Sequence, residues 1–227
     1  MRRMRSFRNK VLALAAFALA GLTPAEGSAQ QPAGSWQDSW FWGAYGGQTS
    51  FATAIARTNA PTIGIDWMLT RTRYALNVFA DQAYFNAVST IPDFSTPAAR
   101  RVNITDMRRV GFAWTIFTPA VQMVKPYFNV GWAFNFIKTA APQPPASFAS
   151  VQARDSVLAR IDDARSQGKF FGSFGVMPMY GKFAPFAQYT IMPTKGTGDW
   201  MLNGEGFTKI WSIGLRYNFG TSIEKKW

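Results

Sequence analysis

Asp66, Asp81, Arg109 and Arg216 each stand in a segment whose other residues are mostly apolar or small. A carboxylate or guanidinium in such company either takes part in catalysis or is paired with an opposite charge. The 227-residue chain contains no His and no Cys. That removes the usual general base, the commonest metal ligand and every thiolate. An enzyme built here would have to work with Asp, Glu, Lys, Ser or Tyr, so neither a catalytic site nor a cofactor or metal is expected. Pairing is the expectation instead.

The elements that must hold these charges read in steps of two. In Tyr127 to Phe136, the residues Phe128, Val130, Trp132, Phe134 and Phe136 share one face, and Tyr127, Asn129, Gly131, Ala133 and Asn135 share the other. Strict alternation of this kind is a strand between two different surroundings. The same device recurs over Ile63–Leu69, Tyr74–Asp81, Arg109–Ile116 and Trp211–Phe219. Ser39–Gln48, Phe170–Met179 and Phe183–Pro193 are strands of ambiguous phase, because Gly and Phe occur on both faces. The total is eight strands of about ten residues, the length a tilted strand needs to cross hydrocarbon.

Connections alternate long and short without exception: 51–60, 71–73, 85–103, 118–124, 138–169, 180–182 and 194–206. That order predicts an antiparallel up-and-down sheet with its turns at one end and its loops at the other. The fold expected is all-β, an eight-stranded transmembrane β-barrel over 38–219, with a lead-in at 30–37 and a C-terminal extension at 220–227. A soluble ligand-carrying barrel would show charges on its outer face, whereas Lys and Glu are nearly missing from mid-strand positions. Large apolar residues facing lipid and small or polar ones facing the axis satisfy both faces. Trp40, Trp42, Trp67, Tyr74, Tyr127, Tyr217 and Phe219 toward the turn end, and Tyr84, Phe85, Phe136, Trp200 and Trp211 toward the loop end, are expected to form two interfacial girdles.

Residues 1–29 read as a signal peptide. Arg2, Arg3, Arg5, Arg8 and Lys10 precede the apolar run Val11–Leu22, which is too short to span a bilayer, and Gly27-Ser28-Ala29 supplies the small residues of a cleavage site. The whole chain has 24 Lys+Arg against 12 Asp+Glu. Cleavage would remove five cations and Glu26, lowering the net charge from +12 to +8. Much of the basicity is thus an address, and nucleic acid is not an expected partner.

In this phase Asp66, Asp81, Arg109 and Arg216 all point inward. Asp81 and Arg109 share one level and Asp66 and Arg216 a lower one, which predicts two ion pairs, with Asn77, Asn129, Asn135 and Asn218 completing a hydrogen-bonded plug. The third long loop opens with Pro142, Pro144 and Pro145. Phe148, Val151, Leu158, Ile161 and Ala164 then recur at helical spacing, so an amphipathic helix is expected, serving either as a stiffener packed on the rim or as a lid or partner surface. Arg100, Arg101, Arg108, Lys138, Lys169, Lys195 and Lys209 near the loop end could meet the phosphates of lipopolysaccharide, or form a generic charged rim.

The signal, then Trp40-Phe41-Trp42-Gly43-Ala44, then eight alternating strands resembles the small outer-membrane barrels related to the OmpA transmembrane domain, OmpX and OmpW. Lys125-Pro126-Tyr127-Phe128-Asn129-Val130-Gly131-Trp132 is similar to that family's Pro-Tyr strand start. Gly214-Leu215-Arg216-Tyr217-Asn218-Phe219 looks like its final strand. The resemblance implies location in a Gram-negative-type outer membrane, contact with outer-membrane lipid, and an assembly signal at Trp211, Gly214, Leu215, Tyr217 and Phe219 read by the outer-membrane assembly machinery. It implies a non-catalytic monomer with a structural or surface-interaction role through its loops. A narrow pore or transporter for small or apolar solutes, as in OmpW, is the alternative. The family usually stops at the final aromatic residue, whereas here Gly220–Trp227 follow, and no peptidoglycan-binding domain is expected.

Overall fold

A computed structural model describes residues 38–93, 99–119, 124–144, 147–194, 200–204 and 206–221. Eight strands follow one another in chain order: β1 Ser39–Ala52, β2 Arg57–Thr70, β3 Tyr74–Ile91, β4 Arg100–Phe117, β5 Val124–Pro142, β6 Ser166–Pro178, β7 Phe183–Pro193 and β8 Phe207–Thr221. Each pairs antiparallel with its neighbours, and β8 pairs with β1, so the sheet closes into a barrel. The register runs from Trp40 through Leu69, Leu76, Trp114, Val130, Gly172, Ile191 and Lys209 back to Ser50, ten residues up the starting strand. A shift of ten over eight strands tilts them steeply and leaves an interior just wide enough for side chains.

Alternation does what the sequence pattern requires. Ile63 and Ile65 on β2, Phe112 and Trp114 on β4, Phe134 on β5, and Ile213 and Leu215 on β8 are exposed on the outside. Their strand neighbours Thr62, Asp66, Ala113, Thr115, Asn135, Ser212 and Arg216 are buried inside. An outer belt of this kind has no stable contact with water; hydrocarbon is the medium that matches it. The ambiguous strands now have a phase: Phe170, Phe174, Phe183 and Ile191 face out, while Phe171, Ala184, Phe186 and Met192 face in. Three girdle assignments change. Tyr127 and Trp200 are buried inside, and Phe85 packs on an interior cluster. Tyr127 lies on the inward phase of β5, and Trp200 packs with Met201 and Leu202 in the buried cluster at the loop end.

Strands exceed the expected ten residues, reaching 18 in β3 and β4 and 19 in β5. The loops shrink accordingly. A bulge between Ala83 and Asn86, opposite the positive-φ Asp106, marks where β3 and β4 pass from the alternating region into this extension. Above it, the interior is capped. The one helix among the described residues, α1 (Val151–Ala164), is capped by the Ser150 hydroxyl, which accepts from the Ala153 N–H at 3.1 Å. Its buried side chains are Val157, Ile161 and Ala164. They pack with Ile104, Ile137 and the segment Trp200-Met201-Leu202 in one cluster that also takes in Phe148. Val151 and Leu158 of the expected stripe are exposed instead. The stripe repeats on two neighbouring faces of the helix, and only the one toward the mouth has something to bury against.

One seam differs from the rest. The β6–β7 ladder has five residue pairs, Gly172–Ile191 to Val176–Ala187. Continuing its register sets Pro178 against Pro185 below and reaches Pro193 above. Proline has no N–H to donate, and the ladder ends two residues short of these positions.

Phe112 lies near the middle of the outward column of β4. Phe112→Arg is expected to destabilise the barrel by about 2–4 kcal/mol in phosphatidylcholine vesicles, read from urea unfolding. A loss too small to resolve would show that this face does not meet hydrocarbon.

Candidate functional site: the lumen and the loop-end rim

Inside the barrel the four charges form two pairs. Arg109 grips Asp81 with both arms of its fork, Nη2 to Oδ2 at 2.5 Å and Nε to Oδ1 at 3.2 Å. Arg216 places Nη2 and Nε on the single oxygen Oδ2 of Asp66, at 2.6 and 2.8 Å. All four side chains are shielded from solvent, and their formal charges cancel. Each pair borrows further support. Tyr45 donates its hydroxyl to Asp81 Oδ2 at 2.8 Å. Arg216 donates to the Met177 sulfur at 3.1 Å and lies 3.8 Å above the Phe186 ring centre. A guanidinium is weakly hydrated and flat, so stacking and bidentate bonding together can hold it in so dry a place.

Two glycines make the room. A Cβ on Gly43 would overlap Asp66 Oδ1, and one on Gly64 would come within 2.6 Å of Asp81 Cβ and 2.5 Å of Tyr45 Cζ. Nothing in the sequence assigns either glycine a role beside the charges, or singles out Tyr45, Met177 or Phe186. Their signal was present only as inward phase on strands whose phase or register was open.

The asparagines divide. Asn77 donates to Asp66 Oδ2 at 3.4 Å, and Asn129 donates to Ser173 Oγ and Gln188 Oε1 at 2.9 and 3.0 Å. Asn135 instead binds the backbone carbonyls of Ala133 and Gln167. Asn218 accepts from the Gly220 N–H near the turn end. None of these three bonds reaches an ion pair, although the register sets Asn135 directly beside Arg109. A cavity of about 30 Å³ lies between Tyr45, Asp66, Asn77, Arg109, Asn129 and Arg216. That is room for about two waters. Asp66 Oδ1, Asn77 Oδ1 and Asn129 Oδ1 have no protein donor, and water is the chemistry that satisfies three such acceptors.

Apolar plugs lie on both sides of this polar layer. Phe41, Met68, Phe117, Tyr127, Met177 and Phe186 cluster toward the turns. The cluster that includes α1 and Trp200-Met201-Leu202 fills the loop end. That last segment is tied down: Ser89 donates to the Met201 carbonyl, Asn203 accepts from the Ala54 N–H at 2.9 Å, and Gly204 N–H bonds Ala52 O at 3.0 Å. Among the described residues these two clusters pack the tube on either side of the charges.

The expected rim cations sort into different environments. Arg100 is committed to Asp93 at 2.7 Å, lies 4.2 Å over the Phe148 ring and donates to the Ser147 carbonyl. It thereby clasps the second long loop to the third. Lys138 stands 3.6 Å from Asp106 on the exposed surface. Lys169 does not lie on the rim: it faces inward, is buried, and sits 5.7 Å from the Trp200 ring centre. β6 begins at Ser166, and this extension puts Lys169 on the inward phase. Arg101, Arg108 and Lys209 are exposed on the outside. Lys195 lies outside the described residues.

Neisserial surface protein A, a solved barrel, superposes with a TM-score of 0.54 at 12% identity, covering 79% of this chain and 97% of that one. This is the fold of the small outer-membrane β-barrels. The N-terminal barrel domain of Pseudomonas aeruginosa OprF aligns at a TM-score of 0.44 and 12% identity, over 81% of this chain and 98% of that one. The Ail attachment invasion locus protein of Yersinia pestis aligns at 0.46 and 9%, over 81% and 99%. No family model matches the chain, and no curated protein does.

Within this barrel fold β8 is the closing strand, bonded to both β7 and β1. Trp211, Leu215 and Phe219 face outward, and Tyr217 stacks edge-on against Phe183 and Phe219. Gly214 is the inward member, where a Cβ would strike Phe186, Tyr45 and the Ala44 carbonyl. Residues 1–37, including the expected signal peptide and lead-in, and 222–227 of the extension lie outside the described residues.

Removing one member of a buried pair leaves the other charge stranded, at a cost of about 3–5 kcal/mol. Asp66→Asn is expected to destabilise the barrel by that amount in urea unfolding. Asp66→Asn with Arg216→Gln should cost less than the two single changes summed, with a coupling of about 1–3 kcal/mol. Additive losses would mean that the pair does not form.

Proposed function

We propose that this chain, after removal of its signal peptide, is a non-catalytic barrel of a Gram-negative-type outer membrane, acting as a structural element and as a surface for interactions through its loop-end rim. The observation that carries this reading is the filling of the lumen: two neutralised ion pairs lie between apolar plugs. Conduction needs a continuous wet path, and catalysis needs a group that a substrate can reach. Each buried carboxylate here is paired with a guanidinium, and no His or Cys is available to work beside them.

Insertion by the outer-membrane assembly machinery, through the aromatic residues of β8, belongs to the same reading. So do a monomeric state and contact with lipopolysaccharide at the rim. Closure of β8 on β1 supports the monomer, because it leaves no sheet edge for a second copy to extend.

Two measurements test the reading. Fractionation of cells making the full chain should recover it, shortened at the N-terminus, with the outer membrane; recovery in the inner membrane or in soluble form would refute the location. In planar bilayers the purified barrel should give no discrete current steps. Steady steps abolished by deleting 143–165 would instead establish a narrow pore gated by the third loop.

A further inference from the structure

The outward column of β4 runs Ile116, Trp114, Phe112, Val110 and then Arg108. From Ile116 to Arg108 is nine residues, the span that a tilted strand needs to cross hydrocarbon. Arg108 therefore stands at the upper edge of the apolar belt. The register sets it between Gln82 on β3 and Phe136 on β5. One step further toward the loops, the same three strands present Tyr84, Asp106 and Lys138.

This patch is poorly neutralised. Arg108 Nε donates to the neutral Gln82 Oε1 at 3.2 Å, and no described carboxylate pairs with Arg108. Asp106 is the one acid in the patch, and it divides itself between Lys138 at 3.6 Å and the Phe85 N–H at 3.3 Å. Two cations thus face one anion at the level where lipid head groups lie. Other cations differ: Arg100 is committed to Asp93, Lys169 faces the lumen, and Lys209 stands on β8 between Ile191 and Ser50, whose hydroxyl accepts from Arg57 at 2.6 Å. A guanidinium fork matches phosphate geometry, while the Gln82 amide and the Tyr84 phenol are groups that bind sugar hydroxyls.

We infer that the outer face of β3, β4 and β5 at Gln82, Tyr84, Arg108 and Lys138 is a binding site for the phosphorylated sugar head group of an outer-leaflet glycolipid. The inference rests on the outer-membrane reading above. Arg108 holds the phosphate, Lys138 adds charge above it, and Gln82 and Tyr84 orient the sugar. The acyl chains lie along Val110, Phe134 and Phe136.

The test uses the full mature barrel folded in phosphatidylcholine vesicles doped with lipid A, with dephosphorylated lipid A, or with phosphatidylglycerol. Lipid retained per barrel is measured after detergent exchange. Lipid A should be retained in preference to both controls, and Arg108→Gln should lower its retention about tenfold, the loss of one charge-assisted contact. Arg108→Lys should fall between, and Lys209→Gln should stay within about twofold of the parent. Each variant is first shown to be folded by its gel mobility with and without heating. Parent-like retention by folded Arg108→Gln overturns the site, as does equal retention of dephosphorylated lipid A or phosphatidylglycerol. Fractionation separates the two claims. A barrel in the outer membrane with unchanged Arg108→Gln binding overturns the site alone. Arg108-dependent binding by a chain found in another membrane supports the site and overturns the location.

Discussion

Hydrocarbon cannot hydrogen-bond a peptide group, and the rest of this structure follows from that constraint. Every backbone N–H and C=O at membrane depth must find its partner within the protein, which a sheet achieves by closing on itself. Here β8 returns to β1 with a shift of ten residues. Closure fixes the tilt, the tilt fixes the bore, and the bore decides what can be inside. Eight strands leave space for side chains and little else. The polar layer, the two apolar plugs and the glycines at 43 and 64 are consequences of filling a narrow tube without leaving a charge unpaired.

The filling is ordered along the axis. Methionines and aromatic rings occupy the turn end, charges and amides the middle, and aliphatic side chains with α1 the loop end. Ionic groups in the middle are farthest from bulk water at either end, so their mutual attraction is least screened and their need for complete pairing greatest. The extended tops of β3, β4 and β5 create a second problem, since part of their inner face rises beyond the closed cylinder. The helix and the segment 200–204 solve it by covering that face. The uncovered carbonyls of β3 are served by Thr53 at Val88 and Asn203 at Thr90.

Much of this was legible because lipid and lumen make opposite demands on alternate residues. Strand number, connection order and the pairing of Asp66 with Arg216 and Asp81 with Arg109 all come from phase and level. The chain was least legible where those opposite demands cease. Above the apolar belt either face can be wet or covered, so alternation gives no boundary, and the upper third of β3, β4 and β5 carries no strand signature. Lys169 escapes for the same reason: β6 begins at Ser166, four residues before the Phe170 at which alternation sets in. On β6 and β7, phenylalanines on both faces satisfy lipid outside and packing inside, and composition alone cannot orient them. The face that α1 buries depends on what lies beneath it, which a periodicity does not contain.

The short β6–β7 ladder gives this cylinder a grain. In a closed ring, opening any seam requires breaking its hydrogen bonds in a medium that offers no replacements, so the seam with the fewest bonds to break sets the lowest barrier. Five residue pairs bounded by Pro178, Pro185 and Pro193 make that the cheapest parting line in the wall. The middle pair of that seam, Phe174–Tyr189, lies apart from the long β3–β4 and β4–β5 ladders that carry Arg108.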